Sequence, residues 1–173
     1  MNRKQKIHSL TCGALIAALY VAFTYVSALF GLSGGVIQLR LSEMLSVLPA
    51  ILPAVYAPGS VLGLFTGCIL ANALTGALVW DIVFGSLATL IGALGTYALR
   101  RAARIGITLA PVPPILANTL IVPFVLQQAY GAEDALWFLM LTVGIGEVLS
   151  CGVLGTLLTK FLTSRFQSMQ SMK

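Results

Sequence analysis

Charge is what this sequence has least of. Only 9% of its 173 residues are charged, whereas 58% are hydrophobic and the mean hydropathy is +0.98. Soluble domains carry about 25% charged residues, so a soluble domain is excluded and the composition is that of an integral membrane protein. No polar stretch is long enough to fold alone, which leaves one transmembrane domain over residues 1–173. Neither G-x-x-x-x-G-K-[ST] nor G-x-G-x-x-G at a helix start occurs. If ATP drives this protein, another chain must bind it. The three cysteines, Cys12, Cys68 and Cys151, lie in separate apolar segments without C-x-x-C or metal spacing, and read as small buried hydrophobes. His8 stands alone beside the basic start. No catalytic constellation, metal or cofactor is expected. The net charge of +5 does not point to nucleic acid either, because the basic residues sit where apolar runs end and orient helices there.

What is present is a series of apolar runs. Arg3, Lys4 and Lys6 precede a run from Leu10 to about Leu32. Val26-Ser27-Ala28 would pass as a signal cleavage site, but the run exceeds a signal core and matches the roughly 20 residues of a transmembrane helix. Helices are expected over about 10–32, 40–54, 60–78, 82–99, 115–130 and 136–162. The second is short, and Pro49 and Pro53 predict a kink or break in it. Arg100, Arg101 and Arg104 open a connection that ends in Pro111, Pro113 and Pro114. The expected fold is thus an all-α bundle of six transmembrane helices. With both termini cytoplasmic, nine of the ten basic residues fall on the inner side and only Arg40 on the outer, as the positive-inside rule requires.

That threading sorts the rare polar groups by depth. Five acids exist, and three of them, Glu43, Asp81 and Glu147, fall in or at the edge of apolar segments. An ionisable group in lipid costs several kcal/mol unless it faces a partner or a cavity. Arg40, Glu43, Asp81, Gln127 and Gln128 fall at outer helix ends, Asn72 below them, and Glu147 near the midplane. The inner half holds little besides Asn118. A cavity open to the outside follows. Arg40 and Glu43 share a helical face and either pair with each other or line the site. Asp81 is either the N-cap of the fourth helix or a ligand contact. Glu147 has no basic residue near it and shares its face with small groups, Gly144, Ser150, Cys151 and Gly155. Asn72 and Asn118 either bridge helices or serve the site. On the first helix Ala14, Ala18 and Ala22 recur every four residues, a spacing that admits close approach by another helix, outside or inside the bundle.

Three long stretches carry a resemblance. Ile37-Gln38-Leu39-Arg40-Leu41-Ser42-Glu43-Met44-Leu45-Ser46-Val47-Leu48-Pro49 resembles the signature of the QueT family. So do Gly63-Leu64-Phe65-Thr66-Gly67-Cys68-Ile69-Leu70-Ala71-Asn72 and Asp81 to Leu90, and the likeness continues in Val143-Gly144-Ile145-Gly146-Glu147. The resemblance implies a substrate-binding S component of an energy-coupling factor transporter, importing a queuosine precursor. It implies a six-helix bundle with its site on the extracellular side, under a first loop acting as lid (Gly31, Gly34 and Gly35). It also implies partners, a transmembrane coupling subunit that meets an A-x-x-x-A stripe, here Ala14, Ala18 and Ala22, and two ATPases.

On this reading the chain binds a 7-deazaguanine-type base without chemistry of its own. Substrate contacts are expected from Gln38, Arg40, Glu43, Asn72, Asp81, Asn118, Gln127 and Glu147, with two of the three acids touching the ligand. A carboxylate accepts a ring N–H and an exocyclic amine at once. The surplus of acid over base suits a cationic arm. A stand-alone secondary carrier using Glu147 as a proton relay, or an S component for another vitamin-like molecule, is the alternative. An intramembrane enzyme lacks a nucleophile–base pair.

Overall fold

The computed structural model describes residues 2–32 and 37–171; of the predicted lid, Gly34 and Gly35 lie outside these residues. All regular structure among them is helical. Five helical stretches are long and apolar enough to cross a membrane, Arg3–Leu29, Ala57–Leu74, Val79–Ala102, Ile105–Ala129 and Leu136–Arg165, and a shorter apolar one covers Leu41–Ile51.

Helix α1 (Arg3–Leu29) starts seven residues before its apolar run. Asn2 and Gln5 form a capping box: the Asn2 side chain accepts from the Gln5 N–H at 2.9 Å, and the Asn2 N–H donates to Gln5 Oε1 at 3.0 Å. The helix ends at Gly31, whose φ of 67° lets Leu32 N–H reach the Ser27 carbonyl at 2.9 Å. Gly76 (φ 76°) ends α3 (Ala57–Leu74) in the same way, four residues earlier than expected. The expected second helix is instead a tight 3-10 segment, Leu41–Val47, leading into the single turn α2 (Leu48–Ile51). Leu52 is then extended, as a residue before proline tends to be, and Pro53 follows.

Helix α4 (Val79–Leu99) takes Leu78 as its N-cap, so the expected cap role of Asp81 is corrected: Asp81 lies inside the first turn and caps nothing. The arginine-rich connection consists of a 3-10 turn, Arg100–Ala102, and a short helix α5 (Ala103–Leu109). Helix α6 (Val112–Ala129) begins three residues before the expected start, because proline is tolerated in a first turn whose N–H groups lack partners anyway. The last element is α7 (Leu136–Glu147), a π-helical stretch Val148–Leu154, and α8 (Gly155–Ser171).

Close backbone contact holds the bundle together. Gly59, Gly63 and Gly67 recur every four residues on α3 and face Ser9, Gly13 and Ala17 of α1. A Cβ on Gly63 would stand 2.3 Å from the Gly13 carbonyl oxygen, so α1 and α3 touch backbone to backbone. Gly92 and Gly95 of α4 receive Pro114 and Pro113 of α6 likewise. Between these pairs the main core gathers Ile16, Tyr20, Leu45, Leu48, Val61, Leu64 and Cys68. Large apolar side chains such as Leu15, Leu70, Leu94, Leu120 and Phe161 are exposed on the rim, where lipid takes the place of water. On α1, Ala14, Ala18 and Ala22 are exposed, while Gly13, Ala17 and Tyr20 face the bundle.

Candidate functional site

The site begins with the 3-10 segment, which α1 holds by side-chain hydroxyls. Ser27 Oγ accepts from the Leu41 N–H at 2.8 Å, and Thr24 Oγ1 donates to Ser42 Oγ at 3.0 Å. Tyr20, 1% exposed, donates its hydroxyl to Glu43 Oε1, and Ser46 Oγ donates to Glu43 Oε2 at 3.0 Å. Each oxygen of this buried carboxylate therefore has a hydroxyl donor. None of these hydroxyls was expected at the site. The only signal for them was the position of Tyr20, Thr24 and Ser27 along one face of an otherwise apolar helix.

A second polar group forms where α4 begins. Arg40 pairs with Asp81, Nη2 to Oδ2 at 3.7 Å, and Tyr130 donates its hydroxyl to the same oxygen at 3.3 Å. Asn72 Nδ2 donates to the Asp81 carbonyl at 3.3 Å. The ion pair of Arg40 is thus made with Asp81, and the Arg40–Glu43 pairing weighed from the sequence is not among the ion pairs of the described residues. Asn72 and Asp81 hold one another, and Asp81 holds Arg40.

The third group comes from α6 and α7. Asn118 is 4% exposed and Glu147 8%; the two side chains lie close enough to interact with each other, yet neither Asn118 Nδ2 nor Glu147 Oε2 makes a hydrogen bond of good geometry. Thr119 Oγ1 and Ser150 Oγ beside them are also unpartnered. The π-helical stretch begins one residue after Glu147, and such wide turns are frequent where a helix serves a function.

One small cavity joins the three groups. Gln38, Arg40, Glu43, Asn118 and Glu147 supply its polar wall, and Gly85, Thr89, Val122 and Val143 complete it. Water centres have about 10 Å³ in it, roughly the space of a single water. Gln38, at the end of the first loop, packs on α7 beside it. The Gln38 carbonyl lies so close to α7 that a Cβ on Gly146 would be 2.0 Å from its oxygen. The loop's ends are tied by Leu39 N–H to the Leu32 carbonyl at 2.9 Å. Of the predicted contacts, then, five line one cavity, Asp81 is bound to a member of it, and Asn72 stands behind Asp81. Gln127 does not line it and is half-buried on α6. A much larger groove, about 710 Å³ between α4 and α6, is lined by Trp80, Phe84, Leu120 and Phe124 with Gln128 at its edge. It holds no charged side chain and so offers a polar or cationic molecule little.

Comparison with known proteins agrees with the assignment of a membrane protein. A family model described as "QueT transporter" matches residues 10–164. A protein of Lactococcus lactis subsp. cremoris (strain MG1363), "Queuosine precursor transporter QueT", is 34% identical over 89 residues, 51% of this chain and 49% of that one. The match spans about half the length of that relative. No solved structure matches. A multi-pass membrane chain, matched over nearly its whole length by one family of transporters rather than enzymes, is placed by that match: it belongs to the QueT transporter family.

Proposed function

We propose that this protein is the membrane-embedded binding subunit of an ATP-driven importer of the energy-coupling factor type, and that it captures a queuosine precursor, a 7-deazaguanine-type base, from the extracellular side. The observation that carries this reading is the single cavity in which Glu43, Glu147, Arg40, Asn118 and Gln38 converge, inside a bundle otherwise almost without charge. Buried polar groups are hydrogen-bonded as a rule, so unpartnered ones on a cavity wall are accounted for by a ligand that pairs them. The relative named as a queuosine precursor transporter supplies the substrate class.

The membrane arrangement has six segments when Leu41–Ile51 is counted, both termini cytoplasmic, and the cavity in the outer half. The positive-inside bias of the basic residues supports it. Gln38 lying on Gly146 supports the first loop, Gly31 to Gln38, as the lid, because a cavity with room for about one water holds a base only if this strap moves outward. The exposed stripe Ala14, Ala18 and Ala22 supports α1 as the surface for a coupling subunit, with two ATPases behind it. The test is uptake of a radiolabelled 7-deazaguanine base into proteoliposomes. Uptake that requires ATP and the ATPase-bearing partners supports the reading, and uptake by this chain alone, driven by a proton gradient, makes it a secondary carrier.

A further inference from the structure

The three buried acids are not equivalent. Glu43 receives a hydroxyl at each oxygen, from Tyr20 and Ser46. Asp81 is held by Arg40 and Tyr130. Among the described residues, only Glu147 keeps a buried carboxylate oxygen with no donor, and the unpartnered amide of Asn118 lines the same cavity. An unpaired buried donor or acceptor is costly, more so a charged one, and a contact of poor geometry between the two leaves Glu147 Oε2 and the Asn118 amide for the edge of a ligand to pair.

The demand has a pattern. Asn118 Nδ2 needs an acceptor, and a carboxylate satisfied by one planar edge needs two adjacent donors. A fused pyrimidine with a ring carbonyl, the neighbouring ring N–H and a vicinal exocyclic amine presents acceptor, donor, donor in that order. A base lacking the amine leaves one carboxylate oxygen unpaired. An amidine-type base, with an amine beside a bare ring nitrogen, offers Glu147 a single donor.

We propose that Glu147 and Asn118 are the specificity-determining pair of the site: Glu147 accepts the ring N–H and exocyclic amine of a 2-amino lactam base, and Asn118 donates to its carbonyl. Glu43 and Asp81 then shape the cavity and supply negative charge without reading the edge. This rests on the cavity being the substrate site, as argued above, and adds which groups select the ligand.

The test is equilibrium binding of 7-deazaguanine, 7-deazahypoxanthine and 7-deazaadenine to the purified full chain in lipid nanodiscs. Wild type should prefer 7-deazaguanine to each analogue by at least about tenfold, since a site built for a polar group rejects the analogue lacking it. Glu147→Gln should weaken 7-deazaguanine by roughly thirtyfold and 7-deazahypoxanthine much less, collapsing the ratio between them, because only the first depends on both carboxylate oxygens. Asn118→Asp, of the same shape, should weaken both lactams alike and leave that ratio unchanged. A general loss of folding lowers all affinities without changing any ratio, so the ratios decide. If wild type binds 7-deazaguanine and the ratio survives Glu147→Gln, the pair does not read the edge and this inference is overturned. If wild type binds none of the three bases, the substrate reading itself fails.

Discussion

Replacing Tyr20 by Phe removes one oxygen atom and leaves the core volume nearly unchanged, so its effect isolates the bond to Glu43. Both residues are buried, at 1% and 2% exposure, so no water replaces the lost donor. Neutral interhelical hydrogen bonds in membranes average about 0.6 kcal/mol, and a bond to a carboxylate is about twice as strong as a neutral one. That sets a floor of about 1 kcal/mol. The upper bound is the roughly 3 kcal/mol of a hydrogen bond to a charged group. Glu43 keeps Ser46 at 3.0 Å, which holds the loss below a full desolvation penalty. A destabilisation of about 2 kcal/mol is therefore expected, a shift in Tm of roughly 4–8 °C for a chain of this size. Thermal unfolding in detergent, followed by tryptophan fluorescence, measures it. The decisive control is the double-mutant cycle with Glu43→Gln, in which Tyr20→Phe should lose most of its effect. Equal Tm values for Tyr20→Phe and wild type, or strictly additive effects in the cycle, would refute the claim that α1 fixes this acid through its hydroxyl.

Other perturbations separate the parts of the account. Gly63→Leu should prevent folding into the membrane, because even a Cβ would stand 2.3 Å from the Gly13 carbonyl; detergent-resistant monomer on size exclusion reads this, and a well-folded variant contradicts the tight α1–α3 contact. Ala18→Trp, on the exposed stripe, should abolish ATP-driven uptake while leaving base binding within about twofold, and equal loss of both argues against a docking surface. Gly146→Ala should push the Gln38 strap off α7 and speed both association and release of 7-deazaguanine in stopped-flow binding; unchanged rates rule out this contact as the closure.

The membrane class and the rough positions of the apolar segments were legible in the sequence, because runs of about 20 apolar residues with almost no charge bury their surface most readily in a bilayer. Glu147 and Asn118 were visible for the same reason, as polar groups with nothing nearby to pair them. Their neighbours were less visible. Asp81 looked like a cap because a carboxylate before an apolar run is the usual cap signal, but the helix starts earlier, at Val79, and Asp81 turns inward to Arg40. Tyr20 passed for one more apolar residue, since its partner lies 23 residues away and only its place on one face with Thr24 and Ser27 marked it. The Gly59, Gly63, Gly67 repeat was readable by the same logic as the alanine stripe on α1, and it is the glycine repeat that packs inside. The π-helical stretch after Glu147 has no residue signature that distinguishes it from α-helix.

The most direct test of the central claim, that the cavity lined by Glu43, Arg40, Asn118 and Glu147 holds the transported base, is calorimetric titration of 7-deazaguanine into purified wild type, Glu43→Gln, Asp81→Asn and Glu147→Gln, each verified as folded. Wild type should bind one base per chain, and Glu147→Gln should lose at least about 2 kcal/mol, roughly thirtyfold in affinity. Glu43→Gln and Asp81→Asn should lose less, because their carboxylates are already paired within the protein. Four proteins that bind the base equally tightly would show the buried charges to be structural and the cavity not to be the site.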